Sequence, residues 1–250
     1  MFLNKDIAQI YSDRYITGRQ YSVSCGRASS NLVLITMKRL DGAAAKPRGR
    51  PRSFDRDEAL ERAMEVFWKR GFEGASLNDL TDAMGINPPS LYAAFGDKEH
   101  LFLEAVERYE AKRGDECPYA DAPTARDAIE QLLTYAATEF TRASNPRGCL
   151  RVMAATTSSA SSPRLQAELA QRRAGSRACL KTRLDQGLAK GELPRGTDTA
   201  ALADFYHAIL AGMSLQARDG ASRKTLKAIV KAAMHAWPGS IDGSAKRVKQ

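Results

Sequence analysis

Apolar residues recur three and four positions apart along most of the chain from Phe54 onwards, the spacing that places them on one face of a helix. Residues that favour helix starts precede these runs, and glycines follow several of them. Strand-like alternation of apolar and polar residues is not evident, so the predicted fold class is all-α. We predict helices that begin at Asp55, Ser76, Asn87 and Asp97, then helices over about 124–142, 147–158, 162–190, 198–218 and 222–237.

Two short predicted helices are separated by a tight turn. Ser76 opens the first, Gly85 can adopt the left-handed conformation of the turn, and Asn87 caps the second, whose first residue is Pro88. Such a helix-turn-helix unit leaves the start of its second helix free to enter the major groove of DNA. Its predicted inward face consists of Leu80, Met84, Ile86, Leu91 and Phe95.

The ends of the chain differ from this helical body. Residues 1–53 show no sustained period apart from an apolar patch at 32–35, and they end in a stretch rich in Gly, Ala, Pro and Arg. Met37 opens a basic stretch, and we hypothesise that translation starts there. The predicted domains are a disordered leader with a basic arm (1–53), a helix-turn-helix domain (54–100), a larger helical domain (101–238) and a basic disordered tail (239–250).

Positive charge is concentrated at the two ends. The formal net charge is +9; residues 1–56 hold 11 Lys and Arg against 4 Asp and Glu, whereas residues 57–241 hold 24 of each. A basic arm on a neutral body predicts a polyanionic partner, either nucleic acid or an anionic membrane surface. A membrane-surface helix would interleave apolar with basic residues, and this arm contains Pro and Gly instead, so nucleic acid is favoured.

Export, membrane insertion and metal binding are not indicated. The N-terminus lacks the uninterrupted apolar run of a secretory signal, and no apolar stretch reaches the length of a membrane span. The 4 cysteines form no Cys-x-x-Cys pair and the 3 histidines form no spaced metal set. We therefore expect a cytoplasmic protein with reduced thiols and without a cofactor.

Several motifs lie in and around the helix-turn-helix unit. They are the arm Gly49-Arg-Pro-Arg52, the helix end Phe67-x-x-x-Gly71-Phe72, the segment 76–80, Ser90-Leu-Tyr-x-x-Phe95 and Asp97-Lys98-Glu99. With these motifs, residues 50–110 resemble the DNA-binding domain of the TetR family of transcriptional regulators. The resemblance implies a homodimer that binds a double-stranded DNA operator, with a helical ligand-binding and dimerisation domain after residue 100.

The resemblance implies two kinds of DNA contact. Ser76 with the amides at its helix start, the Tyr92 hydroxyl and Lys98 would contact phosphates, although Tyr92 can also be interpreted as a packing aromatic. Base edges would be read by Asn78, Pro88, Pro89, Ser90 and Ala93. Because this surface has no Arg or Gln to bind bases bidentately, thymine methyls and DNA shape should matter more than usual.

The arm has two interpretations. Pro47-Arg-Gly-Arg-Pro51 resembles the core of the AT-hook, an extended segment whose arginines lie in narrow A·T minor grooves. The alternative is an electrostatic tether without sequence preference. Both assign DNA binding to Arg48, Arg50 and Arg52.

The last two predicted helices carry apolar stripes. In the family these helices pair with their copies across a two-fold axis, and operator half-sites require a dimer. The same stripes also fit the core of a single subunit. The candidate dimer residues are Leu202, Phe205, Ile209, Met213, Leu226, Ile229, Val230, Ala233 and Met234.

The family's ligand cavity lies among the middle helices, where a pocket would be mostly apolar with a few polar groups. Each candidate lining residue also fits the core, which is the commoner place for such side chains. Cys149 could in addition sense oxidants if Arg147, Arg151 or a helix N-terminus favours its thiolate. The candidates are Phe140, Cys149, Met153, Cys179 and His207.

We therefore expect a ligand-responsive repressor that a small-molecule inducer releases from a palindromic operator. A constitutive or thiol-redox-responsive DNA-binding regulator is the alternative. An enzyme on the same helical scaffold would need a nucleophile, a base or a metal cluster. The Ser- and Thr-rich segment 156–162 lacks a Gly-x-Ser-x-Gly elbow, so no catalytic residue is predicted.

Overall fold

The computed structural model describes residues 21–27, 33–39, 54–114, 119, 122–157 and 162–239. The chain divides into two units, Met1–Arg52 and Ser53–Gln250. The predicted arm residues Arg48, Arg50 and Arg52, and nearly all of the predicted basic tail, lie outside the described residues.

The first unit contains a two-stranded antiparallel hairpin, β1 (Tyr21–Arg27) and β2 (Val33–Arg39). The prediction of a wholly disordered leader without strands is therefore wrong for these residues. β-Branched residues such as Val23 and Ile35 favour extended backbone. Two short strands can pair with each other even though neither has a long alternation of apolar and polar residues in the sequence. Met37, the hypothesised start, lies within β2 opposite Val23.

The second unit is all-α across its described residues, which confirms the predicted fold class. The observed helix bounds follow the predicted ones closely. The helices are α1 (Arg56–Gly74), α2 (Leu77–Met84), α3 (Pro88–Phe95), α4 (Lys98–Gly114), α5 (Ala125–Glu139), α6 (Leu150–Thr157), α7 (Pro163–Ala189), α8 (Thr199–Arg218) and α9 (Arg223–His235).

Most helices begin at the predicted capping residues. The Asp55 side chain accepts hydrogen bonds from the first amides of α1, and Thr124 and Ser222 cap α5 and α9 in the same way. Ser162 also occupies the N-cap position, that of α7, but its side chain makes no capping bond, and its hydroxyl instead donates to Glu99 Oε1 at 2.6 Å. A tertiary partner on α4 thus replaces the local cap.

Two glycines set where helices break or begin. Gly71, in the motif Phe67-x-x-x-Gly71-Phe72, interrupts α1 with φ 73° and ψ 178°. Helix α6 begins at Leu150, later than predicted, because Gly148 adopts φ 83° and lies against α8. A β-carbon at Gly148 would lie 2.8 Å from the carbonyl oxygen of Ser214, so only a glycine fits this approach.

The N-terminal core forms where α1 packs against α4. The rings of Phe67 and Phe102 meet edge to face with centres 4.9 Å apart, and Trp68 and Tyr109 do the same at 4.9 Å. Helices α2 and α3 complete this core with the predicted residues Leu80, Met84, Leu91 and Phe95, which are buried, and Ile86, which is half-buried. Helix α4 runs without a break across the predicted domain boundary at residue 100.

Helices α5 to α9 form the C-terminal part. The buried Tyr206 of α8 donates to the carbonyl oxygen of Ala233 on α9 at 3.4 Å. At the start of α5, the Ala125 amide donates to Glu192 Oε2 at 2.5 Å, which ties α5 to the segment between α7 and α8. No helix in the described ranges combines the length and apolar character needed to cross a membrane.

Arg56 holds α3 against α1 and α4. Its Nη2 lies 2.6 Å from Glu104 Oε2 on α4 and donates to the carbonyl oxygen of Ala94 on α3 at 3.3 Å. The guanidinium also lies 4.3 Å from the centre of the Phe95 ring. The side chains of Arg56 and Glu104 are only 28% and 23% exposed, so solvent screens this pair less than a surface pair.

We expect Arg56→Gln to lower the free energy of unfolding by about 1–3 kcal/mol, because it removes a charge-assisted hydrogen bond and the ion pair with Glu104. Lys69→Gln is the matched control, since Lys69 forms an exposed pair with Glu65 at 3.1 Å. Its effect should stay below about 0.5 kcal/mol. Urea unfolding followed by circular dichroism measures both, and equal effects would contradict the role assigned to Arg56.

Candidate nucleic-acid interface and effector region

The turn between α2 and α3 depends on Gly85, which adopts φ 67° and ψ 33°. Its amide donates to the carbonyl oxygens of Thr81 and Asp82, which ends α2. Asn87 then caps α3 by accepting from the Ser90 amide at 2.9 Å, and Pro88 occupies the first turn, where amides have no intrahelical partner. The predicted helix-turn-helix unit is therefore formed.

The outer surface of α3 is exposed and carries no charged side chain. Tyr92 is 47% exposed, so a large part of it is accessible from solvent. Lys98, at the start of α4, is half-buried. The other predicted contacts on α2 and α3 are exposed except for the half-buried Ser90; they are Ser76, Asn78, Pro88, Pro89, Ser90 and Ala93.

The Ser76 hydroxyl already has partners within its own helix start. It donates to Asp79 Oδ2 at 2.7 Å, and it accepts from the Asp79 amide at 3.0 Å. The hydrogen bonds from Ser76, and then Arg70, whose Nη1 lies 2.5 Å from Asp79 Oδ1, lower the pKa of Asp79 below its usual value. The groups at this helix start that are free to bind an anion are therefore its first amides rather than the hydroxyl.

Lys98 presents an ammonium group beside the end of α1. Its Nζ lies 4.5 Å from the centre of the Phe72 ring, an arrangement in which the ring face attracts the cation. Burial lowers the pKa of Lys98, and the nearby Glu73 opposes that effect. The contact with Phe72 gives this positive charge a defined position next to the helix-turn-helix unit.

Cys149 lies where the start of α6 meets α4. The thiol is buried, and the Tyr109 hydroxyl donates to its Sγ at 3.3 Å. Burial raises the pKa of the Cys149 thiol, but the charges of Arg151 and Arg113, with the hydrogen bond from Tyr109, together bring that pKa below its usual value. Burial also raises the pKa of Tyr109 well above its usual value, so Tyr109 stays protonated and can donate.

The sequence indicated Arg151 as a neighbour of Cys149, but it gave no sign of Tyr109 or Arg113. Arg113 stacks on aromatic rings, with its guanidinium 4.4 Å from the Tyr109 ring centre and 5.8 Å from that of Phe140. Both residues are distant from Cys149 in sequence, and only the packing of α4 against α6 brings them together.

The five candidate pocket residues differ in their exposure. Phe140, Cys149 and Met153 are buried, whereas His207 is half-buried and Cys179 is exposed on α7. An open surface groove of about 450 Å³ lies at the ends of α8 and α9, and its lining residues are Thr197, Asp198, Ala201, Leu202, Phe205, Ala236 and Pro238. In the described part of the chain, no group of three or more His, Cys, Asp or Glu side chains could hold a metal ion.

The candidate dimer residues separate into two groups. Five of them are buried in the core of the subunit, which favours the core interpretation for Met213, Leu226, Val230, Ala233 and Met234. The other four remain partly exposed, and those on α8 are three and four residues apart and so share one face of that helix. These four, hereafter the α8–α9 face, are Leu202, Phe205, Ile209 and Ile229. Phe205 is 38% exposed, and Leu215, also on α8 and not predicted, is 41% exposed.

Comparison with known sequences supports the same assignment for both parts of the chain. The family model described as "Bacterial regulatory proteins, tetR family" matches residues 59–105, and the one described as "Tetracyclin repressor-like, C-terminal domain" matches residues 125–239. The HTH-type transcriptional repressor ComR of Escherichia coli is 37% identical over 196 residues, which cover 77% of this chain and 93% of ComR. The HTH-type transcriptional repressor BdcR of Escherichia coli is 35% identical over 106 residues, 41% of this chain and 53% of BdcR.

Solved structures agree with this result. A cysteine-substituted variant of the TetR family transcriptional regulator CifR, complexed with 26-base-pair double-strand operator DNA, is 47% identical, with a TM-score of 0.73 over 76% of this chain and 100% of that chain. The reduced form of Escherichia coli NemR, at 23% identity and a TM-score of 0.61 over 71% of this chain and 93% of NemR, supports the fold alone. The resemblance inferred from the motifs is confirmed: the chain belongs to the TetR family of bacterial regulatory proteins.

Proposed function

We propose that the protein is a homodimeric transcriptional repressor that binds a palindromic operator and is released from it by a small-molecule inducer. The observation that carries this proposal is the exposed, uncharged outer surface of α3, presented by a capped helix-turn-helix unit. ComR and BdcR are named as repressors, and CifR was solved on operator DNA. A repressor acts where the chromosome is, so we place this protein in the cytoplasm.

The proposed DNA contacts are of two kinds: contacts to phosphates, which position the protein on the DNA, and contacts to bases, which recognise its sequence. The Tyr92 hydroxyl, the Lys98 ammonium and the first amides of α2 are available for phosphates. Pro88, Pro89 and Ala93 offer apolar contact to thymine methyls but no bidentate hydrogen bonds. The arginines of the arm at 48–52 would add affinity for DNA by binding its phosphate backbone or its minor groove.

Dimerisation is proposed to use the α8–α9 face. Half-sites one helical turn apart can be bound together only by two copies of the helix-turn-helix unit. The α8–α9 face leaves large apolar side chains partly in solvent. Burying this face against a second copy would remove that apolar surface from water.

Release by an inducer requires the C-terminal helices α5 to α9, hereafter the effector region, to act on the DNA-binding unit. Helix α4 begins at Lys98 and also carries Tyr109, which donates to Cys149 of α6, and Glu110, whose Oε1 lies 3.3 Å from Arg151 Nη1. At the other end of the effector region, Arg218 of α8 donates to the carbonyl oxygen of Lys69 on α1 at 3.2 Å. A ligand that binds one arrangement of these helices more tightly than another would therefore change operator affinity.

Binding to DNA upstream of the protein's own gene tests the proposal. We expect specific binding in fluorescence anisotropy at moderate salt, weakened about 5- to 10-fold by Tyr92→Phe, which loses one phosphate hydrogen bond. Lys98→Gln should weaken binding and reduce the salt dependence by about one ion. Lys181→Gln, on the exposed surface of α7, is the matched control and should bind like the unaltered protein. Absence of binding above the nonspecific level, on this DNA and on selected DNA, would refute the proposal.

Replacing Phe205 with Glu tests the proposed dimer. Phe205 is already 38% exposed, so Phe205→Glu should leave the subunit folded while a charge is placed in the α8–α9 face. We expect a monomer by size exclusion with light scattering, and at least about 10-fold weaker operator binding because half-sites are then bound singly. Gln171→Glu, an exposed position of α7, introduces the same charge as a control. A dimer that persists in Phe205→Glu would reject this interface.

A second candidate function, a regulator that responds to thiol oxidation, is favoured by the surroundings of Cys149. Arg151, Arg113 and Tyr109 stabilise its thiolate, and the thiolate is the form that oxidants attack. If this function operates, hydrogen peroxide should release the operator from the unaltered protein and from Cys179→Ser, but not from Cys149→Ser. Gel-shift assays with and without a reductant measure this, and equal release from Cys149→Ser would exclude it.

A further inference from the structure

We propose that the inducer is a small organic carboxylate whose anionic group binds Arg173 between α6, α7 and α8, beside Arg151, Arg177 and His207. This inference rests on the proposed function, since it names the chemical class of the inducer. It goes beyond the apolar pocket expected from the sequence, which included none of the three arginines.

One face of α7 borders both α6 and α8 at this place. Arg173, Ser176 and Arg177 are three and four residues apart and therefore share that face. Ser176 Oγ accepts from Arg151 Nη1 of α6 at 2.7 Å, and Arg177 Nε lies 3.3 Å from Asp204 Oδ1 of α8. These two contacts locate Arg173 at the junction of the three helices.

His207 follows Asp204 by one turn of α8 and lies near the same guanidinium groups. Burial lowers the pKa of His207, and the positive charges of Arg151, Arg177 and Arg173 lower it further, against the opposing effect of Asp204. The imidazole is therefore neutral at pH 7 and adds no charge. It can offer either a donor or an acceptor to a bound ligand.

The carboxylates of this region pair with some of its arginines and not with others. Arg172, the neighbour of Arg173, forms ion pairs with three of them: Glu107 at 3.2 Å, Glu110 at 2.7 Å and Glu168 at 3.1 Å. Glu110 also pairs with Arg151, and Asp204 pairs with Arg177.

Arg173 is left without an acidic partner among the residues that the structure describes. Its Nη1 atom is buried and has no hydrogen-bond partner there. A buried guanidinium nitrogen without a partner is costly, and a ligand that supplies an acceptor recovers that cost.

The chemistry of the Arg173 guanidinium indicates the class of ligand. A guanidinium presents a planar fork of donors that matches the two oxygens of a carboxylate, and one unpaired positive charge calls for one negative charge. The buried Leu169 and Leu180 precede and follow Arg173 on α7, so an apolar body attached to the carboxylate would find apolar surroundings.

Such a ligand would also reach α4. Its carboxylate would compete with Glu110 for Arg151, and Glu110 lies on the helix that begins with Lys98 beside the helix-turn-helix unit. Weakening the Arg151–Glu110 pair loosens α6 from α4 and so changes the support of the DNA-binding unit.

Calorimetric titration of the full-length protein at constant ionic strength tests the inference. The probes are acetate, benzoate and decanoate, each compared with its neutral amide. We expect at least one carboxylate to bind at least about tenfold more tightly than its amide, and Arg173→Gln to weaken that binding at least about tenfold. Arg164→Gln, an exposed position in the first turn of α7, is the matched control and should bind normally. Circular dichroism and thermal unfolding establish that both variants are folded.

Each outcome bears on one proposal. If none of the three carboxylates binds, or if a folded Arg173→Gln binds the carboxylate as tightly as the control, the anion site is refuted. The anion site also fails if a neutral compound releases the operator equally from the unaltered protein and from Arg173→Gln, although the inducible repressor then stands. A carboxylate that binds through Arg173 but leaves the operator complex intact supports the site and counts against its role in induction.

Discussion

The packing of α4 against α1 is the interaction on which both parts of the chain depend. Phe102 and Tyr109 of α4 meet Phe67 and Trp68 of α1 edge to face, so the helix that leads into the effector region is part of the DNA-binding core. Glu107 and Glu110 of α4 meanwhile pair with Arg172, and Glu110 also pairs with Arg151, in the effector region. Because the same helix packs on α1 and forms these ion pairs, a movement of α4 relative to one partner would disturb its contacts with the other.

Local signals in the sequence were sufficient to predict most helices and the turn of the DNA-binding unit. Gly85 and Asn87 act within a few residues of their own position, and their effects on the backbone hardly depend on the rest of the fold. The inward face of α2 and α3 was predictable for the same reason, since helical periodicity alone selects it. Where a tertiary partner competes with a local one, as Glu99 does for the Ser162 hydroxyl, the residue keeps its N-cap position but its side chain makes no capping bond.

The side-chain contacts of the effector region could not be predicted in this way. The contacts of Cys149 with Tyr109 and of Arg172 with Glu107 join residues that are far apart in sequence, and no periodicity encodes them. Apolar stripes on α8 and α9 likewise combine buried residues such as Met213 with exposed ones such as Phe205. Burial within a subunit and burial between subunits follow the same pattern in sequence, and only the fold distinguishes them.

Gly148 affects how the effector region can diversify during evolution. Since a β-carbon there would lie 2.8 Å from the Ser214 carbonyl oxygen, any other residue would force α6 away from α8. This contact permits only glycine at position 148. The start of α6 is therefore a fixed reference point around which the proposed small-molecule site has to be built.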